Sequence, residues 1–197
     1  MTAPGALLLF PGAGSDRTHH TLVSIEAALA PLPVTRADFP YRKAGRRAPD
    51  RAPVLLAALL AEAAQVVADA TIDPDQLVLG GRSMGGRMCS MAVAGDDGKG
   101  GEVTPLPSAG LVLISYPLHP PGKPDSLRTA HLPKLHVSCL FIHGTRDPFG
   151  TPDELQAATA SIPGAVTHVW VEGGRHELAG ADPLIAQAVA QWVRSLR

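Results

Sequence analysis

Aromatic residues and cysteines are scarce in this 197-residue chain, and neither sign of charge is in excess. Aromatic side chains make up only 4% of the residues, so the core must be largely aliphatic. Seventeen basic residues face 18 acidic ones, which leaves no positive field to attract nucleic acid. The two cysteines, Cys89 and Cys139, are too few for a disulfide framework, and their apolar neighbours predict buried free thiols.

Membrane and metal signals are also lacking. The apolar run at the start of the chain ends at Pro11-Gly12 and has no basic segment before it, unlike a secretory signal. No other apolar stretch is interpreted as spanning a bilayer, so we expect a cytoplasmic protein with no membrane contact. The sequence contains no H-E-x-x-H motif and no Cys/His ligand spacing, and we expect neither a metal nor another cofactor.

Short apolar runs alternate with helical patterns along the whole chain. Strands are predicted at residues 6–10, 34–37, 77–79, 110–115, 139–143 and 166–171, and helices at 18–30, 53–70, 83–94, 152–161 and 183–196. This alternation predicts about six mostly parallel strands with helices on both faces. The length suits a single domain over residues 1–197, and no segment is long enough for a cap domain.

A proline-rich segment, residues 116–124, follows the fourth predicted strand. Ligand sites in open α/β sheets lie at the carboxyl ends of the strands. The segment is therefore predicted to wall a pocket, with a plain exposed connection as the alternative.

The strongest local motif is Gly81-Arg82-Ser83-Met84-Gly85, which fits G-x-S-x-G. This pattern is typical of a sharp strand-to-helix turn that exposes a nucleophilic serine, and here a β-type run precedes it and a helix-forming run follows. The alternative is a glycine-rich turn that only packs a strand against a helix.

A nucleophilic serine needs a base and a carboxylate that orients the base. In this type of site the chain order is serine, acid, histidine. Asp147 follows the fifth predicted strand and His176 follows the sixth, so both are predicted to meet Ser83 at one edge of the sheet. Asp125, after the fourth strand, is the alternative acid.

The remaining candidates fit other roles better. His143 lies inside a strand and is interpreted as structural, whereas His19 and His20 either touch the pocket rim or begin a helix. Surface or packing roles are expected for His131, His136 and His168. Asp96 and Asp97 are expected to be solvated loop residues.

Acyl transfer also requires donors for the oxyanion. One is predicted to be the backbone N–H of Met84, the residue after the nucleophile. The second is expected from the loop after the first strand, Gly12-Ala13-Gly14-Ser15, with Ala13 favoured and Gly14 next.

The residues quoted so far, together with several further runs, resemble the small lidless α/β-hydrolases similar to the regulatory subunit of the chromatin-associated NSL complex and its testis-expressed relatives. The runs are Phe10–Gly14, Asp38–Arg42, Gly80–Arg87, Ser115–His119, His143–Asp147 and Gly174–His176. The resemblance implies an α/β-hydrolase fold without a cap and a triad of Ser83, Asp147 and His176. Dienelactone hydrolases are similar in size but use a cysteine where this chain has Ser83. Some relatives act chiefly as protein-interaction subunits.

We therefore expect a serine hydrolase that cleaves small acyl esters through an acyl-enzyme. Thioester or peptide cleavage is not separable from ester cleavage by sequence. A non-catalytic interaction domain is the alternative, and a protein partner or a homodimer is left open. Arg82, Arg87 and Arg175 lie near the motifs and either favour an anionic acyl group or form structural ion pairs.

Overall fold

The computed structural model describes residues 3–196, which form a six-stranded sheet in which every neighbouring pair is parallel. The strands are β1 (Ala6–Phe10), β2 (Val34–Arg36), β3 (Leu77–Arg82), β4 (Gly110–Ile114), β5 (Cys139–Gly144) and β6 (Val166–Val171). Their order across the sheet is β2-β1-β3-β4-β5-β6. The chain turns in opposite directions on either side of β1, so the crevice for a ligand lies between the ends of β1 and β3.

Residues 3–196 contain six α-helices, five of them between strands and the last after β6. They are α1 (His20–Leu29), α2 (Pro40–Lys43), α3 (Ala52–Ala70), α4 (Met84–Ala94), α5 (Pro152–Thr159) and α6 (Asp182–Ser195). At α5 the Thr151 hydroxyl accepts from the backbone N–H of Glu154, and the Glu154 carboxylate accepts from the backbone N–H of Thr151. This reciprocal cap fixes where α5 begins, and therefore the end of the loop that carries Asp147.

The four central strands β1, β3, β4 and β5 are buried along their whole length, which explains their largely apolar sequences. The edge strands β2 and β6 are only partly buried. Along β1, Leu8 and Phe10 pack with α3 and α4, whereas Leu7 and Leu9 pack with α1 and α6. The expected α/β architecture, with helices on both faces of a parallel sheet, is confirmed, and residues 3–196 contain no cap domain.

Three local features of the structure are not predicted from the sequence. β3 continues to Arg82 rather than ending at residue 79, because the backbones of Gly80 and Gly81 are paired with β1 on one side and β4 on the other. The four-residue helix α2 is too short to show a helical period in the sequence. The helix α3 is long and apolar enough to cross a membrane by length and composition, a feature that the sequence analysis did not single out.

One helix of this kind is weak support for a membrane span, since a core helix of a soluble protein passes the same test. One face of α3 packs on the sheet through Leu55, Leu59 and Ala63. The two cysteines are buried free thiols, as expected, and burial raises the pKa of Cys139 to about 12.

Candidate active site

Ser83 lies on a strained turn between β3 and α4. Its backbone has φ of 49° and ψ of −116°, a conformation that a residue with a side chain rarely adopts. The turn is possible because glycine flanks it: a Cβ on Gly81 would lie 2.3 Å from the Phe10 carbonyl oxygen, and one on Gly85 would lie 2.4 Å from the same atom. The turn therefore holds the serine hydroxyl above the carboxyl edge of the sheet.

The structure brings Ser83, His176 and Asp147 together from three strand ends. The Oγ of Ser83 is 2.8 Å from Nε2 of His176, and Nδ1 of His176 is 2.8 Å from Oδ2 of Asp147. A carboxylate only accepts hydrogen bonds, so Nδ1 carries the proton and Nε2 accepts from the serine hydroxyl. This is the arrangement in which the imidazole can act as a base toward Ser83.

Asp147 is only 3% exposed and is oriented by its own loop. Its Oδ1 accepts the backbone N–H of Phe149 at 2.9 Å, and the Phe149 ring stacks on the His176 ring with centroids 4.1 Å apart. Burial keeps water from competing for the carboxylate, while the stacked ring restricts rotation of the imidazole. Phe149 was not singled out in the sequence, where its position two residues after Asp147 was the only signal.

The loop that carries His176 is fixed from below by two side chains of neighbouring strands. The backbone carbonyl oxygen of His176 accepts from Nη2 of Arg82 at 2.7 Å and from the Ser115 hydroxyl at 2.8 Å. Arg82 also forms a 3.1 Å ion pair with Glu177. These contacts tie the position of the imidazole to the centre of the sheet.

The loop after β1 passes directly beside the serine. A Cβ on Gly12 would be 3.5 Å from the Cβ of Ser83, and both Ala13 and Met84 line the same cavity. Within residues 3–196, neither the amide of Ala13 nor that of Met84 has an acceptor. Two unsatisfied N–H groups beside a nucleophile are what an oxyanion requires.

A comparison with protein-family models matches residues 3–186 to the α/β hydrolase domain family. The chain belongs to this family.

Solved structures similar to this α/β hydrolase share its fold over nearly the whole chain. Est1E from Butyrivibrio proteoclasticus has a TM-score of 0.73 and 15% identity, covering 96% of this chain and 87% of that one. A dienelactone hydrolase from Anabaena variabilis has a TM-score of 0.72 and 19% identity, covering 96% and 85%. The esterase domain of a Rhodothermus marinus protein has a TM-score of 0.65 and 17% identity, covering 98% and 86%. At these identities the likeness establishes the fold.

The alternative candidates lie elsewhere in this α/β hydrolase. Asp125 is exposed on the β4–β5 connection, and Asp147 already occupies Nδ1 of His176. His143 is fully buried, and its Nε2 donates to the Gly150 carbonyl at 2.8 Å, a structural role. His19 both begins α1 and lines the cavity, whereas His20 is exposed and pairs with Asp182.

Three arginines line the cavity, whose volume is about 700 Å³, but they are not the three expected. Arg82 is present but is used internally by Glu177 and the His176 carbonyl. Arg175 is exposed and does not line the cavity, so the alternative in which it contacts an anionic acyl group has no support in the structure. Arg87 does line it, and the third is Arg128, which the sequence did not indicate.

The segment at residues 116–124 does not line the cavity as predicted. Tyr116 and Leu118 are instead fully buried and hold Arg128 by its backbone: the Tyr116 hydroxyl donates to the Arg128 carbonyl, and the Arg128 N–H donates to the Leu118 carbonyl. The segment therefore acts on the cavity indirectly, by placing Arg128 at its rim.

A buried polar cluster of His131, Ser90 and Tyr116 packs beneath Arg87 and Arg128. The Nε2 of His131 is 2.8 Å from the Ser90 hydroxyl and 3.4 Å from the Tyr116 hydroxyl. Burial, reinforced by the charge of Arg87, lowers the pKa of His131 to about 4. His131 is thus a neutral packing residue, and His168, half-buried between Phe141 and Trp170, also packs.

This cluster predicts a loss of stability in mild acid. In the unfolded chain His131 takes up a proton below its ordinary pKa of 6.5, whereas in the folded chain it stays neutral down to about 4. Protonation therefore favours unfolding as the pH falls through this window, and His131 alone should lower the free energy of unfolding at pH 5 by about 2 kcal/mol relative to its value at pH 7.5. Urea unfolding at the two pH values measures it.

The matched variants for this prediction are His131→Gln and His136→Gln. His136 is exposed, so its replacement should leave the pH dependence unchanged, whereas His131→Gln should flatten it. Equal pH dependence in His131→Gln and wild type would show that the acid sensitivity arises elsewhere.

No group of three or more His, Cys, Asp or Glu side chains in residues 3–196 is arranged to hold a metal ion. The polar groups of the site are those of acid–base and nucleophilic chemistry. The Ser83 hydroxyl contacts the His176 imidazole, which in turn contacts the Asp147 carboxylate. The two backbone amides without an acceptor in this range lie beside them.

Proposed function

We propose that this α/β hydrolase is a serine hydrolase that cleaves small carboxylic esters without a cofactor. The observation that carries the proposal is the continuous chain of hydrogen bonds from Ser83 through His176 to Asp147 at a strained strand-to-helix turn. Strain of this kind is maintained where the surrounding structure holds it for a function. A turn that only packed a strand on a helix would not need it.

In the proposed reaction, Oγ of Ser83 attacks the acyl carbon while Nε2 of His176 takes the hydroxyl proton. Asp147 stabilises the imidazolium and keeps its Nδ1 proton in place. The N–H groups of Ala13 and Met84 bind the oxyanion of the tetrahedral intermediate. Collapse of this intermediate expels the alcohol, which receives the proton from His176. Water, deprotonated by His176, then releases the acid and restores Ser83.

The size of the site supports a small substrate. The cavity of about 700 Å³ is open at the carboxyl edge and within the range of small-molecule sites. Among the similar structures are an esterase domain and a dienelactone hydrolase, and Est1E has been solved with ferulic acid bound. These relatives support ester cleavage over thioester or peptide cleavage. We also propose that the protein is cytoplasmic and that, among α/β hydrolases, it is similar to the group of the NSL-complex regulatory subunit.

Labelling with a fluorophosphonate probe tests the proposal directly. Such probes phosphonylate only an activated serine, so wild-type protein should be labelled in a single, stoichiometric event that maps to Ser83. The Ser83→Ala variant should not be labelled at all. Mass spectrometry of the intact protein and of its peptides measures both.

Ser90→Ala is the matched control, because Ser90 lies on the same helix and is buried in the His131 cluster, away from the cavity. It should be labelled like wild type. Failure of folded wild-type protein to react would favour the other candidate, a protein-interaction domain that keeps the fold without the chemistry.

A further inference from the structure

Two arginines at the cavity have no side-chain partner among residues 3–196. Arg87 lies in the first turn of α4, one helical turn beyond Ser83, and Arg128 lies on the connection between β4 and β5. Both are half-buried, and the Nε of Arg87 is fully buried without an acceptor. The other arginines of residues 3–196 that are not exposed are each paired with a carboxylate: Arg36, Arg42 and Arg82.

Among residues 3–196, no carboxylate forms an ion pair with Arg87 or Arg128. The first turn of α4 contains no acidic residue, so the positive end of the helix dipole adds to the charge of Arg87. Burial, and after it the charge of Arg87, lower the pKa of Arg128. The one carboxylate that lines the cavity within the described residues, Glu177, is paired with Arg82.

Partly buried cations without a counter-ion reduce stability. Here the unpaired donors face a cavity rather than bulk solvent, and the guanidinium fork matches the oxygen geometry of carboxylate and phosphate groups. The backbone contacts of Arg128 to Tyr116 and Leu118 hold it at the cavity without using its side chain. An anion bound here would supply the missing partner for both arginines.

We propose that Arg87 and Arg128 form an anion-binding subsite that selects esters carrying a carboxylate or phosphate group. The inference rests on the proposed ester hydrolysis and names its substrate class. One end of such a substrate lies at Ser83 and the anionic end at the two guanidinium groups, one helical turn further along α4. Neither Arg82 nor Arg175 belongs to the subsite.

The test compares two esters that differ only in charge, monomethyl glutarate and the methyl ester of glutaramic acid. Wild-type enzyme should hydrolyse the carboxylate ester with a kcat/KM about tenfold or more above that of the amide ester. Arg128→Met should lower kcat/KM for the carboxylate ester by about 10- to 100-fold and change the amide ester by less than about threefold. Arg87→Lys should retain part of the preference because it keeps the charge. Release of methanol measures turnover.

Arg175→Met is the matched control. It removes one positive charge near His176 but outside the cavity, so the preference should remain at its wild-type value. An equal loss on both esters in Arg128→Met, or no preference in wild type, would overturn the subsite. Loss of the preference in Arg175→Met would also overturn the subsite, because it would show that positive charges around the cavity attract the anionic ester at long range.

Binding separates the subsite from the chemistry. In the Ser83→Ala variant, calorimetry should show monomethyl glutarate binding about tenfold or more tightly than the amide ester, with this difference lost on adding Arg128→Met. If wild-type protein hydrolyses neither ester and takes no fluorophosphonate, the proposed hydrolysis fails while this measurement still decides the subsite. Inhibition of neutral-ester turnover by inorganic phosphate or by acetate shows which of the two anions fits better.

Discussion

Asp147→Asn is expected to lower kcat on a neutral short-chain ester by about 10⁴-fold while leaving the fold intact. The amide has nearly the same shape as the carboxylate, but its NH₂ group donates where the carboxylate accepted. It therefore favours the imidazole tautomer with Nδ1 unprotonated and Nε2 protonated, which cannot take the Ser83 proton. The amide oxygen can still accept from the Phe149 N–H while the NH₂ group donates to Nδ1 of His176, so both contacts persist and the fold is retained. Turnover of p-nitrophenyl acetate measures the loss.

Asp125→Asn is the matched control for this effect. It is the same chemical change at an exposed aspartate, the other acid that the sequence offered. Its kcat should stay within about twofold of wild type, as expected for a surface substitution. A large loss in Asp125→Asn together with normal turnover in Asp147→Asn would reverse the assignment and require a rearranged β4–β5 connection.

The sequence predicts the site well where its chemistry depends on the local chain. Gly81 and Gly85 flank Ser83 at a fixed spacing that indicates the turn, although the closest contact of each is with the backbone of Phe10 on β1. Asp147 and His176 are also predictable, because each directly follows a buried strand and parallel strands end at the same edge of the sheet. Chain order alone does not separate Asp147 from Asp125, because both lie between Ser83 and His176. The structure separates them, since Asp147 contacts Nδ1 of His176 whereas Asp125 is exposed.

The sequence does not predict which arginine side chains are already paired with other residues of the protein. Arg82, Arg87 and Arg175 look equivalent in the sequence. In the structure, however, Arg82 hydrogen-bonds the His176 carbonyl and pairs with Glu177, and Arg175 lies outside the cavity. Arg128 comes from an irregular connection with no helical or strand period. Its position depends on contacts with Tyr116 and Leu118 that form only when the chain is folded. Pairing of this kind is a property of tertiary structure.

Gly81→Ala is expected to lower the free energy of unfolding by about 3 kcal/mol or more, the upper range for overpacking a well-packed core. The new methyl group would lie 2.3 Å from the Phe10 carbonyl oxygen and 3.0 Å from backbone atoms of Gly85 and Gly86. All of these are backbone atoms of β1 and α4, so no side chain can rotate away. The strand or the helix must move instead, and either movement displaces Ser83 from His176. Urea unfolding measures the first effect and ester turnover the second.

Gly14→Ala provides the comparison, because the same methyl group added to the loop after β1 meets no atom within 4 Å and the backbone there has no positive φ. Its free energy of unfolding should be unchanged or rise by about 0.5 kcal/mol, since alanine restricts the unfolded chain. A difference of this size between Gly81→Ala and Gly14→Ala would show that the space for a methyl group is restricted at the turn that carries Ser83 and not in the loop after β1. Similar stability in the two variants would mean that β1 and α4 can separate without cost. In that case the strained conformation of Ser83 would not be maintained by the contact between this strand and helix, and the hydrogen bonds of Ser83 would have to hold the turn alone.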